Sequence, residues 1–454
     1  MRAEAFLFYN RKSEHNNRKK EEEILKSIWL DGVNAPTFPR AEGEMRCDVL
    51  VIGGGITGIM CADALRRAGV DYALVTAGQI CDGTTSRTTA KVTVQHGLIY
   101  DKLIRTRGVG IAEGYILGME RALAEIYRLA EDIDCDFRVC DNSVYLTKDR
   151  RALEREVRAY ERLGRHAELA YTEEIPVKTV GAVAVRNQAC FHPLKFLYSI
   201  AENLNIYERT RVTKIEDGFV LTESGKIYAK SIIVATHFPI LNKFGGYFLK
   251  MYQHRSYVLA LSGAGRIFGM YVDGERGGYS FRSYGDTLLL GGGAHRTGGR
   301  GGGFAQLLDF TEKHYTGVTV THEWAAEDCI TLDGAPYIGR YGLGAGEIWV
   351  ATGFNKWGMT SSSLAAELLT DGVLRRGSEL SEVFSPRRSM LRPTLVSNIL
   401  HSAWGLIRPT VPRCTHLGCA LVYNKAEHSW DCPCHGSRFS REGEILDGPA
   451  NKKL

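Results

Sequence analysis

The stretch Cys47-Asp48-Val49-Leu50-Val51-Ile52-Gly53-Gly54-Gly55-Ile56-Thr57-Gly58 sets the reading of the whole chain. Residues 47–52 are nearly continuously apolar, as a strand buried on both faces requires. The glycine turn follows at once. Ile59, Met60, Ala62, Ala64, Leu65 and Ala68 then recur at the spacing of a helix packed on a sheet, and Gly69 ends it. A second apolar run over residues 72–75 completes a βαβ unit. Strand, glycine turn, helix and strand in that order predict a Rossmann-type nucleotide site. Gly53 makes the tight bend, Gly55 lets the backbone approach a pyrophosphate, and Gly58 lets the helix pack close to the strand. The free N–H groups of the helix start then face the phosphates.

Working outward, the same pattern returns twice. Residues 227–236 hold an apolar strand, Ile232-Ile233-Val234-Ala235, ending in Thr236, and residues 348–351 with 364–369 supply another strand and helix. Between these pieces the chain changes character. Residues 101–170 read mostly as helices, 137–146 and 180–185 as strands, and 251–293 as an antiparallel sheet. The expected class is therefore α/β: a nucleotide domain (46–100, 189–245, 329–376) interleaved with an antiparallel-sheet α+β domain (101–188, 246–328). An N-terminal extension (1–45) precedes them. A linker (377–411) leads to a small all-β segment (412–454).

With 454 residues, 44% hydrophobic and 24% charged, the composition is that of a soluble globular protein. A net charge of +5 on scattered Lys and Arg gives no reason to invoke nucleic acid. Residues 1–23 lack the apolar run of a signal peptide and read as a solvated extension. The apolar stretch 395–407 is interrupted by Ser397, Asn398, His401 and Ser402 and is too short to span a bilayer. A cytoplasmic location without a stable membrane span is expected. Seven of the eleven cysteines (Cys47, Cys61, Cys81, Cys135, Cys140, Cys190, Cys329) are dispersed and read as buried small hydrophobes. The other four gather beside two histidines near the C-terminal end.

The motifs CDVLVIGGGITGI (47–59), GTTSRTTAKVTVQHG (83–97), SIIVATHFP (231–239), DGAPYIG (333–339) and ATGFNKWGMT (351–360) resemble the family of D-amino acid oxidase, glycine oxidase and sarcosine oxidase. That resemblance implies FAD as cofactor and a small amine or amino acid as substrate, oxidised by hydride transfer. It places Gly53, Gly55 and Gly58 at the pyrophosphate, Thr84, Thr85 and Arg87 along the cofactor, and Val212 beside the adenine. Thr236 follows the third strand at the cofactor. Gly353, Phe354, Asn355, Lys356, Trp357, Gly358, Met359 and Thr360 would cover the flavin ring, with Lys356 able to offset negative charge there. Where the family holds the ribose with an acid, this chain has Thr76, which offers a hydroxyl and no charge. Candidate substrate residues from the antiparallel domain are His254, Arg255, Tyr257, Arg282 and His295, since Arg or Tyr can hold a carboxylate.

Cys414-Thr-His416-Leu-Gly-Cys419 and Cys432-Pro-Cys434-His435-Gly-Ser437 have the form CxHxxC…CxCH. Two loops that each bring one Cys and one His meet the need of a [2Fe–2S] centre with two thiolates on one iron and two imidazoles on the other. Zinc is the alternative that such spacing leaves open. The segment resembles Rieske proteins of the respiratory-complex type, shortened on both flanks. The resemblance implies Cys414, His416, Cys432 and His435 as ligands, a Cys419–Cys434 disulfide, and Gly448-Pro449-Ala450 as the covering loop.

Three functions stand open at this stage. The first is amine or amino-acid oxidation with electrons exchanged between FAD and the cluster and an unknown donor or acceptor. The second is a flavoprotein with a vestigial tail. The third is a non-enzymatic redox sensor or zinc-stabilised binding module. An NAD(P)-linked disulfide reductase is disfavoured, since no CxxxxC dithiol comes directly after the first βαβ unit and no second GxGxxG stands in βαβ context. Phe439 stands where many high-potential Rieske proteins carry Tyr. One hydrogen bond toward a cluster sulfur is then missing, and fewer such bonds lower the potential. Phe439→Tyr is expected to raise the cluster potential in a redox titration.

Overall fold

The computed structural model describes residues 26–454 except 242–244, 276, 300, 343, 410, 411 and 451. The extension read over residues 1–23 lies outside that range. The glycine-rich unit forms as expected: strand Gly43–Ile52, helix Ile56–Arg67 and strand Tyr72–Val75. Strand Gly43–Ile52 pairs in parallel with Tyr72–Val75 on one side and Gly225–Val234 on the other. Ile348–Thr352 and Ile206–Tyr207 extend the parallel order, and antiparallel pieces complete an eight-stranded sheet. The centre of this sheet is apolar on both faces, with Val49, Leu50, Val51, Ile233 and Val234 buried.

The helix fits because of two glycines. A Cβ on Gly58 would lie 1.8 Å from the carbonyl oxygen of Gly53, and Gly53 itself sits at φ +120°. Only residues without Cβ allow that approach and that backbone conformation.

A nine-stranded sheet forms the second layer, built around Met251–Ser262, Thr287–Arg296 and Thr319–Thr331 and continued by Arg138–Leu146 and Gly181–Cys190. Helices Val109–Ala130 and Gly358–Val373 pack in the large core beneath, with Tyr115, Met119, Leu364 and Leu369 buried. Upstream of the first strand, Trp29 is fully buried, edge-on to His192 and Tyr284, and its indole N–H donates to the Thr88 carbonyl at 2.6 Å. The seven dispersed cysteines are all buried thiols.

The C-terminal piece is a four-stranded antiparallel sheet (Val422–Asn424, Ser429–Asp431, Arg438–Phe439, Ile445–Asp447), preceded by helix Pro393–Ile407. Its own core is small, namely the four cysteines with Leu421, Phe439 and Ala450.

Gly58→Ala is expected to overpack the helix–turn contact by about 1–3 kcal/mol. Denaturant unfolding of the variant, with bound flavin read from its absorbance, should show lower stability and weaker retention.

Candidate functional site

A cavity of about 690 Å³ lies between the two large sheets. Gly53, Gly55, Thr76, Thr84, Thr85, Arg87, Val212, Thr236 and the run Gly353 to Met359 all line it. Two predicted cofactor residues do not. Gly58 sits behind the turn for the packing reason above. Thr360 is buried below the loop, where it donates to the Thr93 carbonyl at 3.1 Å and lies 2.9 Å from His96 Nε2. His96 stacks at 5.0 Å on Trp357, which lines the cavity, and burial lowers its pKa to about 3.

The residues present fit FAD. Helix Ile56–Arg67 starts at Gly55 with no side-chain cap from that residue and no acid in its first turn. Thr85 Oγ1 accepts the Ile56 N–H at 3.0 Å and brings the Thr84–Arg87 turn against the helix start. At the Thr76 end the cavity also contacts Gln79, Asp82, Thr210 and Arg211. Asp82 is an acid near the place where Thr76 supplies none, and no motif distance pointed to it.

The loop over the expected ring position is held in an uncommon conformation. Asn355 and Lys356 have φ +53° and +76°. Left-handed backbone at non-glycine residues costs energy and persists where surroundings impose it. Asn355 supplies that constraint. Its Oδ1 accepts the Thr331 N–H at 2.8 Å, and its Nδ2 donates to the carbonyls of Gly334 at 3.1 Å and Gly353 at 2.6 Å. Lys356 Nζ donates to Ser256 Oγ at 2.9 Å. Burial lowers the Lys356 pKa, opposed by Asp328, and burial raises that of Asp328, opposed by Lys356.

Of the substrate candidates, His254 and Tyr257 line the cavity. His295 stands behind Tyr257, with Nε2 3.2 Å from its hydroxyl. Arg255 and Arg282 are corrected here. In strand Met251–Ser262, Tyr257, past a register shift after Arg255, reaches the cavity edge, while Tyr252, His254 and Ser256 line the cavity and the pleat turns Gln253 and Arg255 to the opposite side. There Arg255 is bound by Glu427 through Nε at 3.0 Å and through NH2, and its NH1 lies 3.8 Å from Glu327. Arg282 is fully buried, donating to the carbonyls of Thr89 and Ala90 at 2.8 and 2.7 Å, with its guanidinium 5.3 Å from the Trp29 ring. It fixes the strand that follows the Thr84–Arg87 turn. In Thr319–Thr331 the residues Ala326, Asp328, Cys329 and Ile330 line the cavity.

The two C-terminal loops bring the four expected ligands together in pairs. The Cys414 and Cys432 thiols hydrogen-bond each other, a contact that lowers the Cys414 pKa to about 6 and raises that of Cys432. The His416 and His435 rings lie 4.9 Å apart at 88°. Thiol with thiol and imidazole with imidazole is the division a Rieske cluster needs. Both ring nitrogens of His435 are buried without a hydrogen-bond partner, and burial lowers its pKa to about 3, so it is a neutral imidazole suited to a metal. The sulfurs of Cys419, Cys432 and Cys434 lie within 4.8 Å of one another, and Cys419 and Cys434 are both thiols here.

These loops dock on the reverse side of the sheet that lines the cavity. A Cβ on Gly436 would lie 1.8 Å from Glu327 Oε1 and 2.8 Å from Gln253 Cγ. Arg438 joins Glu427 at 2.8 Å and Asp431 at 3.2 Å, completing a buried charge network with Arg255. Ile445, Leu446, Asp447 and Gly448 form part of the cavity wall. Thr236 and His237 line the cavity, while the next ring, Phe238, lies 5.6 Å from His435 and 6.5 Å from His416.

Comparison with known proteins agrees with this geometry. The chain belongs to the FAD dependent oxidoreductase family, which it matches over residues 48–372, and residues 397–454 match the Rieske [2Fe-2S] domain. FAD and a [2Fe–2S] cluster are its cofactors. It is 33% identical, over 96% of its length and 98% of theirs, to YhfW of Bacillus subtilis (strain 168), a protein named for a Rieske 2Fe-2S iron–sulfur centre. Gamma-glutamylputrescine oxidoreductase of Escherichia coli (strain K12) is 25% identical over 77% of this chain and 88% of the relative. The solved glycine oxidase of Geobacillus kaustophilus shares the fold at TM-score 0.63 and 17% identity, over 76% of this chain and 99% of that one. Among the described residues no helix is long and apolar enough to cross a membrane.

Removing one partner of a buried ion pair costs about 3–5 kcal/mol, because the other charge is left unpaired. Glu427→Ala is therefore expected to loosen residues 412–454 from the body. Limited proteolysis should cut that segment faster, and iron per flavin should fall.

Proposed function

We propose that this protein oxidises a small amine or amino acid at the carbon bearing nitrogen and exchanges the electrons between its FAD site and its Rieske centre. One observation carries the reading: a single cavity is walled both by the FAD-family loops and by Ile445–Asp447 of the Rieske sheet, and one segment, Thr236 to Phe238, runs from that cavity to the two histidine ligands. FAD when bound accepts a hydride and releases electrons singly, and the cluster carries one at a time.

The chain's own residues do the rest. Gly53, Gly55 and the start of helix Ile56–Arg67 hold the pyrophosphate, and Thr84, Thr85, Thr76 and Val212 line the path to the adenine. The loop Gly353 to Met359 covers the ring, fixed by Asn355, with the Lys356 ammonium beside it. His254, Tyr257, Tyr252 and Ser256 form the substrate-facing strand. Arg255 and Arg282 are committed elsewhere, so neither is placed to clamp a substrate carboxylate. Asp273 and Glu275 also line the cavity, and acids there favour a cationic amine. The relationship to gamma-glutamylputrescine oxidoreductase supports the amine class.

The informative experiment mixes the anaerobic protein with a panel of amines and amino acids. Flavin bleaching is followed optically and the reduced cluster by EPR after freeze-quenching. The expected outcome is bleaching with one amine class and the appearance of a rhombic signal of low average g. Bleaching without that signal, in protein whose cluster dithionite reduces, would sink the electron-exchange half. No bleaching with any compound would sink the substrate half.

A further inference from the structure

Helix Pro393–Ile407 is built inside out. Its buried side is polar or small: Asn398, Ser402 and Gly405, spaced by four and three residues. Asn398 pins the helix to the body, donating to the carbonyls of Leu249 and Met251 at 2.8 and 3.1 Å and accepting from Arg296 at 2.6 Å. Gly405 lies so close to the cluster loops that a Cβ there would be 2.8 Å from Cys434 Sγ. The opposite side carries Val396, Ile399, Leu400, Trp404 and Ile407 at helical spacing, with Leu406 at its margin, all facing water. Leu400, Trp404 and Ile407 are 65%, 64% and 70% exposed. Large apolar side chains gathered on one exposed stripe mark an interaction surface, whereas single ones do not.

The charge around the helix indicates what covers it. Residues 385–426 contain five Arg and one Lys and no Asp or Glu; of these, Arg388 is buried and paired with Asp333, leaving four Arg and the Lys. Arg392 precedes the helix and Arg408 follows it. Arg413 ties its last turn to the first ligand loop by donating to the carbonyls of Leu406 and Gly418 at 2.9 and 2.8 Å. A short apolar face with a tryptophan and flanking arginines fits a membrane interface carrying anionic lipid. At about 22 Å the helix is shorter than the ~30 Å hydrocarbon core, so it lies along the surface and does not cross.

We propose that the exposed face of helix Pro393–Ile407 seats this protein on an anionic lipid bilayer. The inference is independent of the substrate reading. Bound in this way, the protein would hold the loop Cys414 to Cys419, on which Leu417 is also exposed, beside the membrane surface.

The test is co-sedimentation of the holoprotein with vesicles of phosphatidylcholine alone and of phosphatidylcholine mixed with phosphatidylglycerol. Binding is expected with the mixed vesicles and should weaken as salt is added. Leu400→Ser and Trp404→Ser should each lower the partition coefficient about tenfold or more, the scale of one large side chain leaving hydrocarbon, with flavin content unchanged. Trp404→Phe should keep binding while abolishing the blue shift of tryptophan fluorescence on vesicle addition. The proposal is overturned if neither vesicle binds, or if binding is indifferent to both serine variants. It is equally overturned if light scattering shows a dimer that either variant splits, since a second copy would then be the cover.

Discussion

The buried ion pair of Arg255 with Glu427 governs how the two halves of this molecule meet. Arg255 stands on the strand next to the edge of the nine-stranded sheet, opposite Glu327 in register, and Glu427 comes from the C-terminal segment 172 positions away. Burial opposes the charge on Arg255, and Glu427 and Glu327 together hold it charged, so its pKa is raised. Such a pair contributes little net stability over well-packed apolar side chains, but it tolerates no misalignment. It fixes the orientation of the C-terminal sheet. Gly436 then reaches Glu327, and Phe238 reaches the rings of His416 and His435.

The pair also accounts for the small size of the cluster-bearing part. A sheet of four short strands with seven core residues, four of them cysteine, has too little apolar area to order itself. The rest of its packing comes from outside. Phe238 and Phe248 lie against His435, Gly405 lies behind Cys434, and Gly298 lies against Pro433. The scaffold strands that seemed missing from the sequence are replaced by the flavin-binding body and the inverted helix.

Much of this was legible from local pattern. The βαβ unit at residues 47–75 follows from short-range spacing, and so does the Cys and His content of the two ligand loops, because a turn or a loop needs its residue types at fixed offsets. Trp29 and the two arginines illustrate what was not legible. Arg255 and Arg282 read as substrate clamps because Arg has the right chemistry. Their true partners, Glu427 and the carbonyls of Thr89 and Ala90, are set by tertiary packing over 172 to 193 positions. The face that Arg255 takes was recoverable, since strand alternation assigns it to the side opposite Tyr252, His254 and Ser256. The contribution of residues 445–448 to the flavin cavity left no mark in the sequence, because a wall made from another sheet requires only that its side chains fit.

That wall bears on the order in which the molecule is made. Every other residue lining the cavity precedes residues 445–448 in the chain. While the polypeptide is still growing, the cavity therefore stands open on that side, and a bulky dinucleotide can enter without prying apart a finished interface. Once the C-terminal sheet docks, residues 445–448 complete that side of the cavity wall. The chain thus lays down every other part of the flavin wall before the stretch that completes it.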